Sequence, residues 1–584
     1  MLFCPDEPPD PAQRLPKRLK EISPRGDSEN SFTFARKLLD LCRNHHVECS
    51  KRDDRYHPTR LIHIISNDRL QLVEGEEIPE GVEYSALSYC WGSGRFFMTT
   101  HSNFDNLRQG FAVSALPGTL SDAVKVTATL GLEFIWIDAL CIIQGDVADW
   151  NRESPLMAQV YANAHVTIGA ASAVSVEEGF LHPRKMPDPF TRDWADSFGN
   201  TISLSARLQP ASGFHAMRLT PSGHDEMEAS KHRDPTQLRG WTFQEQILSR
   251  RFLNFSRDEV QWACRCITTC ECRACHLEID CHPIPSRHLL DCPFHAWGEL
   301  VALYTQRRLS FAKDKLPALS GIAHTVQDLT GSEYVAGIWL DDIANSLNWS
   351  RKSQVHPETA YGGPKPCPDT YRAPSFSWAS IGDAVSCTAM NPTNSGDVAV
   401  GQITALGWTA EPVGTDLLGE VKPGASLELS GIVHDDALLV TDDDESPGTL
   451  SVHFANRTVV MEEDTPLIKF EFVVKNPGTA DSEYAWSACR FTGTSDGNSE
   501  WLETLYRDNF SEGVPVTLLY VGPTTDRPGF LVLGKSPGDP TRLERLGVVD
   551  FSFDPFREEV DTATKRAWEA GAVDERWRRR IVLV

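Results

Sequence analysis

Between Tyr84 and Ala173, short apolar runs alternate with stretches of helical period, and no other feature of the chain restricts its fold as strongly. "YSALSY" (Tyr84–Tyr89) reads as a strand. In "LPGTLSDAVKVTATLG", Leu116, Leu120, Val124 and Thr127 recur at helical spacing, Pro117 suits the first turn and Gly131 the end. "FIWI" (Phe134–Ile137) is apolar without alternation, as expected of a central strand covered on both faces. Ser154-Pro155 reads as the N-cap and first position of a second helix, with Leu156/Val160 and Met157/Tyr161 meeting at i,i+4. "AHVTIGAASA" (Ala164–Ala173) returns as a strand. Strand–helix–strand–helix–strand is the order of an α/β domain with a parallel sheet and helices on both faces. Ligands of such sheets sit beyond the carboxyl ends of the strands. Asp138 and the loop "YCWGSG" (Tyr89–Gly94) lie at two of those ends.

The flanks read differently. Residues 1–30 are Pro-rich, charged and poor in aliphatics, as in a disordered tail. "FTFARKLLDLCRNHHVEC" (Phe32–Cys49) carries a short helical pattern. Thr59–Ile65 and Leu70–Gly75 read as a hairpin around an Asn-Asp turn. From about Val400, runs such as "ASLELSGIV", "TLSVHF", "LIKFEFVV", "VTLLYVG" and "GFLVLG" are separated by Pro, Gly and Asp. A late helix over 563–580 and a terminal strand "IVLV" close the chain. The predicted organisation is a tail over 1–30, an α/β domain with an N-terminal extension and a Cys-rich insertion over 31–385, and a β-rich domain over 386–584.

A net charge of −25 over 584 residues argues against a general nucleic-acid or anionic-membrane surface. No run of about 18 apolar residues appears, so no membrane span is predicted. The opening residues hold no apolar core of a signal peptide. A cytoplasmic setting is therefore expected, where the 15 cysteines serve as reduced thiols or metal ligands.

Seven of those cysteines fall within the 29 residues from Cys264 to Cys292, where an even spread would place fewer than one. Thiolate and imidazole are the ligands that zinc selects, four at a time. A structural zinc or thiol knot is predicted on Cys264, Cys266, Cys270, Cys272 and Cys275, completed by Cys281 or His276. Cys42, His46 and Cys49 form a second ligand-like trio on or beside the first helix. The chain has no GxGxxG, GxxxxGK[ST] or HExxH, and its one GxSxG match, Gly493–Gly497, is flanked by polar turn residues instead of a strand and a helix.

"YSALSYCWG" (Tyr84–Gly92), "WIDALCIIQ" (Trp136–Gln144) and "RGWTFQEQILSRR" (Arg239–Arg251) resemble the three motif blocks of the fungal heterokaryon incompatibility (HET) domain. "LCRNHHVEC", "LPGTLSDAV", "MAQVYANAHVTIGAASA", "DKLPALSGIA" and "YRAPSFSWAS" resemble the same family, so the likeness extends over residues 32–584. Ile143 stands where relatives often carry Asn, and Ser154-Pro155 where many run an unbroken helix.

The resemblance implies a trigger of fungal cell death in self/non-self recognition, with a TIR-like parallel-sheet core. Some TIR domains cleave NAD, a likeness at the level of fold. Splitting the nicotinamide–ribose bond passes through an oxocarbenium-like state that a carboxylate stabilises. On that reading Asp138, Glu153 and Glu245 are the catalytic candidates. Ser88, Trp91, Gly92, Arg239 and Trp241 are the candidates for ligand binding, with NAD as substrate and no other nucleotide cofactor. The alternatives are a non-enzymatic module that acts by self-association or with partner proteins, and a biosynthetic role on the same scaffold. Either way the three blocks are expected to converge, with Trp91 near Asp138 or Glu245.

Overall fold

The computed structural model describes residues 2–3, 22–51, 56–94, 96–184, 190–195, 201–206, 233–272, 277–278, 288–352, 371–387, 403–442, 449–454, 457–463, 467–475, 482–490, 514–524, 527–537, 539–550 and 577–584. It divides the chain into two compact units, Met1–Arg287 and His288–Val584.

The first unit is organised by a ten-stranded mixed sheet. Its strands are β1 (Arg60–Ile64), β2 (Arg69–Glu74), β3 (Tyr84–Ser88), β4 (Phe111–Ala112), β5 (Phe134–Trp136), β6 (Val166–Gly169), β7 (Arg251–Phe255), β8 (Val260–Cys264), β9 (Ile267–Cys270) and β10 (Leu277–Glu278). They lie in the order β10-β9-β8-β7-β6-β3-β5-β1-β2-β4. The four central strands, β5-β3-β6-β7, run parallel, with Tyr84 opposite Phe134, Ser85 opposite Val166 and Phe252 opposite Thr167. Antiparallel hairpins extend both sides. The three apolar runs of the sequence therefore share one sheet, as expected.

Helices α1 (Glu29–His45), α2 (Val47–Ser50), α3 (Gly118–Thr129), α4 (Val147–Glu153), α5 (Met157–Asn163) and α6 (Trp241–Leu248) accompany it. Consecutive strand residues point to opposite faces. On β3 the Tyr84 hydroxyl donates to the Val160 carbonyl oxygen of α5 (2.7 Å), while Ser85 Oγ bonds Thr127 Oγ1 of α3 (2.7 Å). The two helices thus cover opposite faces of the central strand. Every residue of β3 is buried, which explains its lack of alternation. Trp136, also buried, meets Tyr161 edge-on at 5.6 Å. Burying a side chain of that size stabilises by about 1.5–3 kcal/mol.

One expected boundary moves. Ser154 is helical (φ −60°, ψ −40°) and is not an N-cap: its amide closes the preceding turn on the Trp150 carbonyl. The helical path runs from Val147 to Asn163, with a 3-10 turn at Ser154–Leu156 between α4 and α5. A proline removes one i→i−4 bond, and the tighter turn bridges the gap. Asp146 supplies the cap, its Oδ1 accepting from the Ala148 and Asp149 amides at 2.8 and 3.1 Å.

The last part of the predicted tail is also structured. Ile22 is buried, Arg25 bridges to Pro183, and Ser28 caps α1. The anchor is Glu271, which accepts from Ser31 Oγ (2.5 Å) and Arg184 Nη1 (2.7 Å). Residues 4–21 lie outside the described residues.

The second unit begins at His288, and its C-terminal part is β-rich, as predicted for the chain after about Val400. A nine-stranded sheet includes Ser426–Asp442, Thr449–Phe454, Val514–Thr524, Arg527–Lys535 and Leu543–Asp550. The terminal strand Arg578–Leu583 pairs antiparallel with Leu427–Ile432. Of the expected late helix, residues 563–576 lie outside the described residues, and Arg578–Arg580 belong to this strand. Trp297 and Tyr304 of the helix Pro293–Tyr304 meet Tyr334, Trp339 and Trp378 edge-on, and Tyr334 meets Trp339 in a tilted contact. Arg545 is fully buried, donates to the Leu347 and Trp349 carbonyls, and stacks 3.5 Å above the Trp349 ring.

In the first unit a buried ion pair holds β1 to the chain after β5. Arg60 Nη1 donates to Asp149 Oδ2 (2.9 Å) and to the Cys141 carbonyl (2.7 Å), and both charged groups are 2% exposed. Removing one partner of such a pair leaves an uncompensated buried charge. Asp149→Ala is expected to cost about 3–5 kcal/mol, read as lost hydrogen-exchange protection of the β3 amides. The apolar double variant Arg60→Met/Asp149→Leu should recover much of it.

Candidate functional site

β3 ends at Ser88, and the chain turns outward through Tyr89, Cys90 and Trp91. Gly92 follows at φ +79°, where a Cβ would come within 2.6 Å of the Ser175 side chain. This close approach lets the loop after β6 lie against the loop after β3, and the Val176 amide donates to the Trp91 carbonyl (3.3 Å). The neighbouring strand β5 passes through Ile137 into a single helical turn that begins at Asp138. Strand ends of one parallel set therefore bring Trp91 and Asp138 to the same rim.

Asp138 is held on both oxygens. Oδ1 accepts from the Tyr89 hydroxyl (2.8 Å) and the Ala139 amide (2.7 Å), and Oδ2 accepts from Trp91 Nε1 (2.8 Å). Its pKa lies above the ordinary carboxylate value, because burial outweighs the hydrogen bonds from Tyr89 and Trp91. Trp91 is half-buried and meets Phe96 edge-on at 5.4 Å.

The third block reaches this rim from α6. Its start follows a 3-10 turn at Pro235–Leu238 with an Asp234–Gln237 capping box, which leads to Arg239. Glu245, on α6, is 6% exposed. The Ser88 and Tyr161 hydroxyls lie beside its carboxylate, and Oε2 has no hydrogen-bond partner. Tyr161 gives its own proton to the Leu87 carbonyl (2.9 Å). Burial raises the Glu245 pKa to about 7 against the pull of Ser88, and the charge of Asp138 adds to the rise. Arg239 carries the opposing positive charge, acting on Asp138 and Glu245 and hydrogen-bonding Cys90. Burial pushes the Cys90 thiol up.

The structure thus gathers Ser88, Trp91, Gly92, Asp138, Arg239 and Glu245 from three blocks into one polar cluster. Two candidates go elsewhere. Glu153 is buried in an ion network, 3.6 Å from Arg60 and 3.2 Å from Arg152. Trp241, at the start of α6, meets Trp150 edge-on at 6.2 Å. Tyr89, Cys90 and Tyr161 belong to the cluster, although none of them was a site candidate in the sequence. The first two stand inside "YSALSYCWG", so the block itself carried the signal. Tyr161 reads as a core residue, and only the fold shows its hydroxyl facing Glu245.

The cysteines divide into two groups that could hold a metal ion: Cys42, His46, Cys49 and Cys264, and separately Glu259, Cys270 and Cys272. The single set expected on Cys264, Cys266, Cys270, Cys272 and Cys275 is corrected by the hairpin. β8 and β9 pair Gln261 with Cys270, so Cys270 sits three residues along the strand from Cys264, about 10 Å away. Cys266 Sγ lies 3.9 Å from Cys49 Sγ. Cys275, His276 and Cys281 lie outside the described residues.

Residues 84–245 match the family model described as heterokaryon incompatibility protein (HET). Residues 84–245 form a HET domain. No curated protein and no solved structure matches it. The matched span opens on β3 and closes on Glu245, so it holds the first two blocks and the first part of the third, through Glu245. No helix among the described residues is long and apolar enough to cross a membrane.

The Glu245 carboxyl keeps its proton to about pH 7, against an ordinary value of 4.5. The folded chain therefore binds the extra proton between those values. Its stability falls as pH rises through that window, and the cost is fully present above it. Glu245→Gln removes the ionisation. The stability difference between variant and wild type should shift in favour of the variant by about 2 kcal/mol from pH 5 to pH 8, measured by urea unfolding at both pH values.

Proposed function

We propose that this HET-domain protein is an effector of programmed cell death in heterokaryon incompatibility, and that its cluster cleaves the glycosidic bond of a nicotinamide nucleotide, NAD being the best candidate. The observation that carries the reading is the orphaned, buried Oε2 of Glu245 beside a second carboxylate and one guanidinium. A buried carboxyl that titrates near neutrality is suited to proton transfer. The C1′–N bond breaks with its electron pair going to nicotinamide. Water attacks C1′, and Glu245 takes the proton of that water. Asp138 is saturated by Tyr89, Trp91 and Ala139, which suits it to fixing the Trp91 ring as a stacking surface and less to chemistry. Arg239 is suited to a phosphate or a ribose hydroxyl. One bound zinc belongs to the reading, with a structural part and no part in the chemistry.

A second reading is a module that kills by assembly. It is favoured by the engagement of Asp138 and Glu153 with the protein's own donors.

Purified full-length protein should release nicotinamide from NAD, with a rate that rises with pH through about 7 if Glu245 is the base. Glu245→Gln should lower the rate about 100-fold or more. Glu153→Gln should change stability and leave the rate per folded molecule unchanged. Cell death in a fungal host with NAD intact, from wild type and Glu245→Gln alike, would overturn the enzymatic reading in favour of assembly.

A further inference from the structure

We infer that Cys42, His46, Cys49 and Cys264 form a tetrahedral zinc site that pins α1 to the β8–β9 hairpin and, through Arg250 and Arg251, sets the position of α6. This inference does not depend on the nucleotide reading.

The ligand set comes from two distant stretches. Cys42 and His46 are four apart at the end of α1, one helical turn, so both face the same way. The chain then leaves helical geometry at His46 (φ −103°, ψ 90°) and restarts as α2, which returns Cys49 to the same side. Cys264 arrives from the last position of β8. The four ligand atoms all lie within 4.8 Å of one another, and His46 Nδ1 is 3.4 Å from Cys264 Sγ. A tetrahedron with bonds of about 2.0–2.3 Å places its ligand atoms about 3.5–3.8 Å apart. Cys42, Cys49 and Cys264 are free thiols and buried. Three thiolates and one imidazole make a closed structural zinc set with no position left for water.

The surroundings favour bound thiolates over thiols packed as core. Arg251 is 3% exposed, and its hydrogen bonds run from Nε to Cys42 Sγ (3.2 Å) and from Nη1 to the His165 carbonyl (3.1 Å). A buried guanidinium calls for a negative partner. Three thiolates on a divalent zinc leave one negative charge there. The Ile267 amide points at Cys264 Sγ (3.4 Å), a second donor to sulfur. Such outer hydrogen bonds orient metal ligands.

The coupling to α6 is direct. Arg250 and Arg251 follow α6 in sequence. Arg250 Nη1 donates to the Cys49 carbonyl (3.3 Å), and Arg251 donates to Cys42. The zinc knot thus anchors the chain just past the helix that carries Glu245. Its role is positioning.

Full-length protein is purified under reducing conditions, refolded with zinc, and assayed for metal by mass spectrometry and by the visible spectrum of its cobalt(II) form. About one zinc per chain is expected, with the ligand-field bands of a tetrahedral thiolate site. Cys42→Ser and Cys264→Ser should lose most of the metal, while Cys270→Ser/Cys272→Ser keeps it. His46→Cys guards against misfolding of the serine variants: it should keep the metal and strengthen the sulfur-to-cobalt charge-transfer absorption. Zinc removal should also raise hydrogen exchange in 241–255. Wild type that binds no zinc, metal lost only from the Cys270/Cys272 double variant, or a His46→Cys spectrum identical to wild type would each overturn the assignment.

Discussion

The Asp138 carboxylate joins the first two motif blocks of the HET domain, and the geometry of the rim follows from that junction. It receives three donors at 2.7–2.8 Å, two of them side chains from the loop after β3. Because β3 and β5 are parallel neighbours, their carboxyl ends fall side by side, and a short side chain suffices to bridge them. With Tyr89 and Trp91 fixed in this way, Ser88 is left facing Glu245. In that buried polar network Glu245 Oε2 is left without a hydrogen-bond partner. A partly unsatisfied network is costly in a low-dielectric interior. The domain bears that cost at the one place where its three blocks meet.

Two carboxylate clusters in the same domain show how surroundings decide roles. Asp149 and Glu153 share Arg60 and Arg152, and against the upward push of burial the Arg60 guanidinium holds the Asp149 pKa below its ordinary value. That cluster ties β1 to α4. Glu245 and Asp138 share one guanidinium between two charges, and burial raises both pKa values. The first arrangement favours the ionised Asp149, and the second favours a proton on Glu245 near neutral pH. Residue type alone could not separate them, so Glu153 read as equal to Glu245 in the sequence.

Much of the fold was legible. Parallel strands buried on both faces read as unbroken apolar runs, so β3, β5 and β6 stood out, and Gly131 marked the end of α3 with φ +79°. The strand-like runs after Val400 fell into one β-rich unit for the same kind of reason. Ser154-Pro155 misled, because a proline can be carried by a 3-10 turn inside a continuous helical path when Asp146 already caps its start. The cysteine run misled too. Nearness in sequence was taken as nearness in space, whereas a hairpin moves Cys270 away from Cys264 and α1 brings Cys42 to it.

By itself the sequence determined the local elements, the parallel core and the three blocks, since each depends on periodicity, turn chemistry or residues within a few positions of one another. The tertiary structure alone decided which side chains meet. Tyr161 faces Glu245 because α5 and α6 pack together, and Cys264 reaches His46 across 218 positions because β8 lies beside α1. Contacts of that range depend on sheet order and helix packing, and no local pattern of residues encodes them. The same holds for the proton on Glu245, whose pKa is set by burial and by the charge of Asp138 and not by the residue itself.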